Sequence, residues 1–188
     1  MYVKIGKRVF DISISLCSVI VFFPLMLIIA LFIKLVDPGP VLFAQQRVGR
    51  FGKMFKFYKF RSMPINTGDI PSDKMGEIEL SWIGRFIRRT NIDELPQLIN
   101  ILRGDMSLVG PRPPLLSQSE LINARESDGV LICFPGLTGL AQINSFDGMK
   151  VEQKANFDKS YAESISFLND VKIILKTFLY LFKKPPVY

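Results

Sequence analysis

The feature that most constrains this chain is an uninterrupted apolar segment near its start. From Ile12 to Ile33 the sequence carries no charged side chain over 22 residues, a length that lets a helix reach across a bilayer. A secretory signal peptide would share the basic start, but the run is long for one and no small-residue cleavage pattern follows it. The segment therefore predicts a membrane helix that the protein keeps.

The path of this helix through the membrane stays open between two alternatives. Pro24 lies in the middle of the run, where it removes a helix hydrogen bond and favours a bend. Basic residues flank both ends, with Lys4, Lys7 and Arg8 before the run and Lys34 after it, and basic flanks prefer the cytoplasmic side. A re-entrant helix that enters, bends and returns explains these charges, whereas a single kinked spanning helix fits the length equally well.

Composition limits the chemistry more than it limits the fold. With 188 residues the chain has room for one domain with a sizeable core. The net charge of +7 indicates an anionic partner, which is nucleic acid, lipid head groups or a phosphorylated substrate. Histidine is absent, which excludes Ser-His-Asp and Cys-His nucleophiles and histidine-containing zinc sites. Acid–base chemistry must therefore use carboxylates, lysines or tyrosines.

A turn and a hairpin are predicted directly after the membrane helix. The turn-forming sequence at residues 37–40 ends the helix. Residues 41–43 and 54–60 are rich in strand formers, and residues 48–53 between them have turn chemistry. These patterns predict a small β-hairpin.

The second arm of this hairpin places two cations on one face. Phe55, Phe57, Lys59 and Arg61 alternate along the arm, so that their side chains point to the same side of a strand. Lys59 and Arg61 either line an anion site or belong to a solvated basic surface, and the sequence leaves both alternatives open.

The rest of the chain predicts mainly helices, giving an α+β, mostly helical fold. The pattern predicts a surface loop over 64–79, helices over 81–89, from about 93, over 119–126 and over about 167–184, an extended segment at 111–114 and a turn at 135–139. The last helix is apolar with lysines along it, which fits either a membrane surface or packing on the core. We expect two parts, a membrane helix with its basic flank (1–36) and a catalytic domain (37–188).

The densest cluster of charge and proline lies at residues 85–96. Thr90 followed by Asp93 resembles a capping box, and in that interpretation Asp93 and Glu94 only stabilise the start of a helix. In the functional alternative the two neighbouring carboxylates share a divalent ion such as Mg²⁺. Arg88 and Arg89, together with a downstream arginine at 112, would then clamp a diphosphate. The elements together describe a phosphoryl-transfer site.

The whole chain resembles a known family, the small monotopic phosphoglycosyltransferases or bacterial sugar transferases. The likeness is carried, in chain order, by Lys7-Arg8-Val9-Phe10-Asp11, Asp37-Pro38-Gly39-Pro40-Val41-Leu42-Phe43, Gln46-Arg47-Val48-Gly49, Phe57-Tyr58-Lys59-Phe60-Arg61-Ser62-Met63, Arg88-Arg89-Thr90-Asn91-Ile92-Asp93-Glu94-Leu95-Pro96-Gln97-Leu98, Gly104-Asp105-Met106-Ser107-Leu108-Val109-Gly110-Pro111-Arg112-Pro113, Pro135-Gly136-Leu137-Thr138-Gly139-Leu140-Ala141-Gln142 and Asp170-Val171-Lys172-Ile173.

The resemblance implies a function and a location. It implies a re-entrant helix in the bacterial inner membrane and an active site on the cytoplasmic face. It implies that Asp93 attacks the β-phosphate of a UDP-sugar and releases UMP, and that polyprenyl (undecaprenyl) phosphate then takes the phosphosugar. Such a step begins the assembly of a glycoconjugate: an O-antigen, capsule, exopolysaccharide or glycoprotein glycan.

The resemblance also assigns residues and partners. Asp93 and Glu94 are the catalytic pair and the ligands of a required Mg²⁺. The substrate-binding candidates are Lys59, Arg61, Arg88, Arg89, Pro111, Arg112, Pro113 and Gln142. Membrane lipids are expected partners, nucleic acid is not, and homo-oligomerisation stays open. No long extension follows Tyr188, which predicts a minimal catalytic unit.

Two departures from the family pattern leave the sugar undetermined. The family commonly has Arg directly before the Pro-Gly turn, where this chain has Phe134. After Ala-Gln the family commonly has Val-Asn-Gly-Arg, and this chain has Phe146 at the last of these four positions. Two other classes remain as alternatives: a membrane-tethered nucleic-acid-binding module and a non-catalytic membrane scaffold. The first lacks a recognisable nucleic-acid-reading motif, and the second gives no reason for Asp93 and Glu94 to lie beside so many arginines.

Overall fold

A long N-terminal helix dominates the structure. The computed structural model describes residues 2–67, 80–144 and 149–181. After a short π-helical turn at Tyr2–Gly6, helix α1 runs over Lys7–Val36 with Pro24 inside it and ends at Asp37, as the turn signal predicts. Among the described residues, Tyr2–Val36 is long and apolar enough to cross a membrane.

The start of α1 is attached to the rest of the molecule by polar contacts. The Lys7 ammonium donates to Asp170 at 2.7 Å and to the carbonyl of Val109 at 3.0 Å. Asp11, which is buried, accepts a hydrogen bond from the backbone N–H of Leu108 at 3.0 Å. These groups are buried and paired, as buried charges must be, so the start of the helix is held at the core.

The end of α1 packs on the same body through apolar contacts. Ile29 and Ile33 are buried in a cluster with Phe60, Ile83 and Ile87. Between the two attached ends the helix leaves large apolar side chains exposed, namely Leu16, Ile20, Val21, Phe22, Phe23, Leu27 and Ile28. A contiguous apolar surface of this kind marks a contact with a membrane or a partner.

The predicted hairpin is present. Strands β1 (Leu42–Val48) and β2 (Met54–Phe60) pair antiparallel, with Leu42 opposite Phe60 and Val48 opposite Met54. Phe55 and Phe57 are buried in the main core. The Lys59 side chain on the same face is only 20% exposed and that of Arg61 only 6%, so the alternative of a solvated basic surface is wrong.

Helices α2 and α3 carry the cluster of charge and proline. Helix α2 (Trp82–Arg89) begins after Ser81, whose hydroxyl accepts from the N–H of Gly84. A 3₁₀ turn at Ile92–Glu94 and helix α3 (Gln97–Arg103) follow.

The capping-box alternative for Thr90 and Asp93 is wrong. Thr90 lies at the C-terminal cap of α2 and its hydroxyl donates back to the carbonyl of Phe86 at 2.9 Å. Asn91 then adopts a left-handed conformation, which is typical of a residue that ends a helix. Asp93 and Glu94 therefore lie in a separate turn, and their role is not that of a helix cap.

A second small sheet corrects the prediction of a simple turn at 135–139. Strand β3 (Ser107–Val109) pairs in parallel with β4 (Gly136–Thr138). The backbones approach so closely that a Cβ added at Gly136 or Gly139 would overlap the backbone of Gly110. Glycine is therefore required where the two segments meet.

The remaining helices complete the domain. They are α4 (Ser119–Ser127), α5 (Leu140–Asn144), α6 (Val151–Glu163) and α7 (Phe167–Leu181). Helix α7 is packed on the core through Asp170 and Ile173, while Leu168, Phe178 and Leu179 are exposed. The packing alternative is thus confirmed for one face of α7, and the exposed face leaves contact with a membrane as a prediction.

The structure confirms a mostly helical fold with small sheets and an apolar N-terminal helix. The re-entrant path and the division into residues 1–36 and 37–188 stay predictions. Of the predicted loop at 64–79, residues Ile65–Thr67 form a 3₁₀ turn and residues 68–79 lie outside the described part. The last helix was predicted to continue to residue 184, and residues 182–184 also lie outside the described part.

The ion pair between Lys7 and Asp170 provides a test of how α1 is attached. We expect Lys7→Met to lower the free energy of unfolding by roughly 3 kcal/mol, because the buried Asp170 loses its charged partner. Lys4→Met is the matched control, since Lys4 is exposed in the preceding turn. Chemical unfolding of both variants in detergent measures the difference, and equal effects would contradict the inferred role of Lys7.

Candidate active site

Glu94 joins three stretches of the chain at one carboxylate. Its Oε1 accepts from Lys59 Nζ at 2.7 Å and from Arg112 Nη2 at 2.7 Å. Lys59 comes from β2, Glu94 from the 3₁₀ turn and Arg112 from the segment after β3. The hairpin face and the charge cluster predicted from the sequence therefore meet in one site.

Asp93 lies beside this junction, and its side chain is less exposed to solvent than that of Glu94. Its Oδ2 is 3.6 Å from Lys59 Nζ, and its side chain is 10% exposed. Burial raises the pKa of Asp93, and the negative charge of Glu94 raises it further, whereas Lys59, Arg88 and Arg112 act in the opposite direction. The net result is a raised pKa, which gives a more basic carboxylate than an exposed aspartate has.

The pKa of Glu94 is shifted in the opposite direction. Burial alone would raise the pKa of Glu94, but the charges and hydrogen bonds of Arg112 and Lys59 outweigh it and hold this pKa well below its usual range. Two adjacent acids with pKa values moved in opposite directions are a frequent mark of a catalytic site. Glu94 is therefore kept ionised by its two cations, whereas burial raises the pKa of Asp93 above that of an exposed aspartate.

The segment 111–114 that carries Arg112 is held by its carbonyl groups. Three of its four residues are prolines, which have no N–H to donate. Each carbonyl nevertheless accepts a hydrogen bond, and the donors come from three parts of the chain. Pro111 accepts from the N–H of Gly136 at 2.9 Å and Arg112 from Arg125 Nη1 at 2.8 Å, while Pro113 and Pro114 accept from β1, from Arg47 Nη1 at 3.2 Å and from the N–H of Val48 at 3.1 Å. The surrounding elements therefore determine the shape of the segment and the position of Arg112.

Arg125 is a buried residue of this site that the sequence did not reveal. It pairs with Asp158 on α6 through Nε at 2.9 Å and through Nη2 at 2.5 Å, and both side chains are almost completely buried. A charged residue within a helix usually faces solvent, and nothing in a single sequence distinguishes Arg125 from its exposed neighbours. Its remaining nitrogen holds the backbone of Arg112.

The other candidate residues are placed at different distances from the two acids. Arg88, half-buried at the end of α2, is close enough to lower the pKa of Asp93. Arg89 is exposed and forms no ion pair with Asp93 or Glu94 in the described part of the chain. Arg61 pairs with Asp37 at 3.3 Å instead.

Gln142 lies on α5, and Phe134 lies shortly before β4. The Gln142 amide donates to the carbonyl of Leu137 at 3.4 Å. Phe134 lies under the guanidinium of Arg50, whose carbon is 4.4 Å from the ring centroid, so that a cation is supplied beside the position where the family commonly has one. Phe146 lies outside the described residues.

The donor set at Asp93 and Glu94 suits a hard divalent cation. Mg²⁺ is commonly bound by one or two carboxylates, with phosphate oxygens and water completing its shell. No group of three or more acidic or cysteine residues able to hold a metal occurs within residues 2–67, 80–144 and 149–181. Asp93 and Glu94 alone would be a partial set of Mg²⁺ ligands, which phosphate oxygens of a substrate and water would have to complete.

Comparison with known proteins shows the class to which this fold and site belong. The family model described as bacterial sugar transferase matches residues 2–184. The chain belongs to the bacterial sugar transferase family, which confirms the resemblance drawn from its motifs.

Individual relatives agree with this assignment. The chain is 38% identical over 200 residues to the undecaprenyl-phosphate galactose phosphotransferase of Salmonella typhimurium, covering 97% of this chain and 41% of that protein. It is 40% identical over 184 residues to the UDP-glucose:undecaprenyl-phosphate glucose-1-phosphate transferase of Caulobacter vibrioides, covering 93% and 69%. It is 39% identical over 186 residues to the exopolysaccharide production protein PSS of Rhizobium leguminosarum, covering 91% and 92%. The chain thus spans about two fifths of the Salmonella protein and most of the Rhizobium one.

The ion pair of Arg125 and Asp158 tests how the site is supported. Arg125→Met leaves Asp158 buried without its partner and the Arg112 carbonyl without its donor, so we expect the free energy of unfolding to fall by roughly 3–5 kcal/mol. Lys159→Met is the matched control, because Lys159 forms an exposed pair with Asp128 and such pairs contribute little. Thermal unfolding measures both variants, and a control that loses as much stability as Arg125→Met would contradict this role.

Proposed function

We propose that the chain transfers a phosphosugar from a UDP-sugar to polyprenyl phosphate through a covalent intermediate on Asp93. The observation that carries the proposal is a pair of adjacent acids among three cations, with the pKa of one acid raised and that of the other lowered. Asp93 is buried with a raised pKa, while Glu94 is held ionised by Lys59 and Arg112. The activities named for the Salmonella and Caulobacter relatives support this donor and acceptor class.

In the first step, Asp93 is the nucleophile. Its carboxylate oxygen attacks the β-phosphorus of the UDP-sugar, an aspartyl–phosphorus bond forms, and the bond from that phosphorus to the bridging oxygen breaks to release UMP. Ionised Asp93 with a raised pKa is a stronger nucleophile than an ordinary aspartate, because reactivity rises with basicity. Arg112, Lys59 and Arg88 bind the phosphate oxygens and stabilise the charge that develops on them.

In the second step, the acceptor lipid takes the phosphosugar. A phosphate oxygen of polyprenyl phosphate attacks the phosphorus bound to Asp93, a diphosphate bond forms, and the aspartyl–phosphorus bond breaks to return the carboxylate.

Asp93 and Glu94 would hold Mg²⁺ together with the donor phosphates, and the ion would neutralise phosphate charge when bound. Glu94 keeps Lys59 and Arg112 in place during both steps.

The membrane arrangement proposed here is monotopic. Both ends of α1 contact one body, through Lys7 and Asp11 at the start and through Ile29 and Ile33 at the end. The exposed apolar side chains lie between these ends. A helix that dips into the inner membrane from the cytoplasmic side and returns satisfies both observations and keeps the active site at the depth where a lipid phosphate lies.

Release of UMP tests the reaction and the nucleophile together. With Mg²⁺, undecaprenyl phosphate and a panel of UDP-sugars, we expect the wild type to release UMP from at least one donor, which also identifies the sugar. Asp93→Asn should lower the rate by about 10³-fold or more, because it removes the attacking group. Glu120→Gln, on the exposed start of α4, is the control. An Asp93→Asn variant as fast as the wild type would disprove the covalent mechanism.

The raised pKa of Asp93 makes a prediction about pH. Asp93 attacks only when ionised, so activity should fall as the pH decreases through its pKa. Of the charged groups that act on Asp93, namely Lys59, Glu94, Arg88 and Arg112, Lys59 is a cation that lowers this pKa. Lys59→Gln should therefore raise it and move the acid limb of UMP release to higher pH by about one unit. Lys59→Arg keeps the charge and should leave the limb near its wild-type position, and a shift to lower pH in Lys59→Gln would contradict the assignment.

A further inference from the structure

A cleft of about 390 Å³ lies at the end of α1, on the side of Arg61 rather than at Glu94. This volume falls in the range of small-ligand pockets, roughly 300–1,000 Å³. Its lining comes from the end of α1, from the residues after β2 and from the start of α2. The lining residues are Ile33, Val36, Asp37, Arg61, Ser62, Met63, Pro64, Leu80, Ser81 and Ile83.

Arg61 is the cationic group of this cleft, and part of its hydrogen-bonding capacity is unused. Its side chain is 6% exposed and its Nη2 pairs with Asp37 at 3.3 Å. The Nε and Nη1 atoms are buried and have no hydrogen-bond partner among the described residues. A buried guanidinium with unmatched N–H groups is costly in the absence of an acceptor. The unmatched donors therefore point to an anionic ligand.

The other walls of the cleft are mainly apolar and adjoin the membrane helix. Ile33, Val36, Met63, Leu80 and Ile83 contribute apolar side chains. The neighbouring positions of α1 expose large apolar side chains at Phe32 and Leu35. A ligand that matches these surroundings has one anionic group for Arg61 and a hydrocarbon chain that continues along α1.

The cleft is also close to the proposed reaction centre. The N–H of Arg61 donates to the carbonyl of Val41 at 2.9 Å, which extends the pairing of β1 and β2 by one residue. Arg61 follows Lys59 by two residues on the same face, a distance of roughly 7 Å along a strand. Lys59 in turn contacts Glu94 and lies beside Asp93.

We propose that this cleft binds the phosphate group of the polyprenyl acceptor, with Arg61 as its anion-binding residue and the end of α1 as the guide for its chain. The inference rests on the proposed function, because it assigns a separate place to the second substrate. The donor diphosphate is bound by Arg112 and Lys59, and the lipid phosphate approaches from the Arg61 side. Arg61 holds the lipid phosphate, and no bond forms or breaks at Arg61 itself.

Binding of lipids in the absence of any UDP-sugar tests the assignment without turnover. The full chain in phosphatidylcholine nanodiscs is offered undecaprenyl phosphate, undecaprenol or phosphatidylglycerol, and the bound lipid is measured by native mass spectrometry. We expect preferential retention of undecaprenyl phosphate and a loss of about 10- to 100-fold in its affinity in Arg61→Gln. Arg103→Gln is the matched control, because Arg103 is an exposed arginine that contacts Tyr58 outside the cleft, and it should bind as the wild type does.

Asp37→Asn provides a second variant with the opposite expected direction. Removing the carboxylate that pairs with Arg61 should tighten binding of undecaprenyl phosphate by about twofold to fivefold. This result is informative even if Arg61→Gln does not fold, whereas unchanged or weaker binding in Asp37→Asn would overturn the proposal.

The lipid panel distinguishes the possible sources of the signal. Equal retention of undecaprenol would show that the phosphate is not recognised, and equal retention of phosphatidylglycerol would show a general lipid contact. Either result overturns the assignment of the acceptor. Because no donor is present, specific binding that depends on Arg61 would support the cleft even if no UDP-sugar gave UMP, which separates this inference from the proposed reaction.

Discussion

The carboxylate of Glu94 holds the candidate site together. Lys59 and Arg112 donate to the same oxygen, and they lie 35 and 18 residues away from Glu94 in the sequence. Two acids, Asp93 and Glu94, stand against three cations, Lys59, Arg88 and Arg112, so that one positive charge remains when both acids are ionised. This excess favours a phosphate group in the site, while the two ion pairs of Glu94 fix the turn that presents Asp93.

Elements with a local cause were predictable from the sequence. The uncharged run and the turn at 37–40 gave the N-terminal helix and its end, because both depend on adjacent residues. The hairpin of β1 and β2 followed from strand formers on either side of a turn. The two acids were selected as candidates because their neighbouring arginines suggested phosphate chemistry and the family motifs agreed, and their catalytic role stays a prediction.

Features that depend on residues far apart in the sequence were not predicted. The sheet of β3 and β4 consists of two three-residue strands, which are too short for a periodic pattern and depend on pairing across the chain. The sequence Thr90 to Asp93 fits a helix start, but the left-handed Asn91 ends a helix there instead. Arg125 and Asp158 look like surface charges until the fold buries them together. Whether a charged side chain is buried depends on its partner, and the sequence around Arg125 does not show that its partner is Asp158.

The attachment of α1 also has a consequence for the order in which the protein matures. Lys7 lies in α1, and its partner Asp170 in α7 lies 163 residues later in the chain. During synthesis the apolar helix is therefore exposed long before its buried lysine can be neutralised. Domains generally fold as units as the chain emerges, but this unit closes only when α7 has been made. Burial of the Lys7 ammonium and completion of the folded body are thus coupled events, because α7 holds the start of α1 in place.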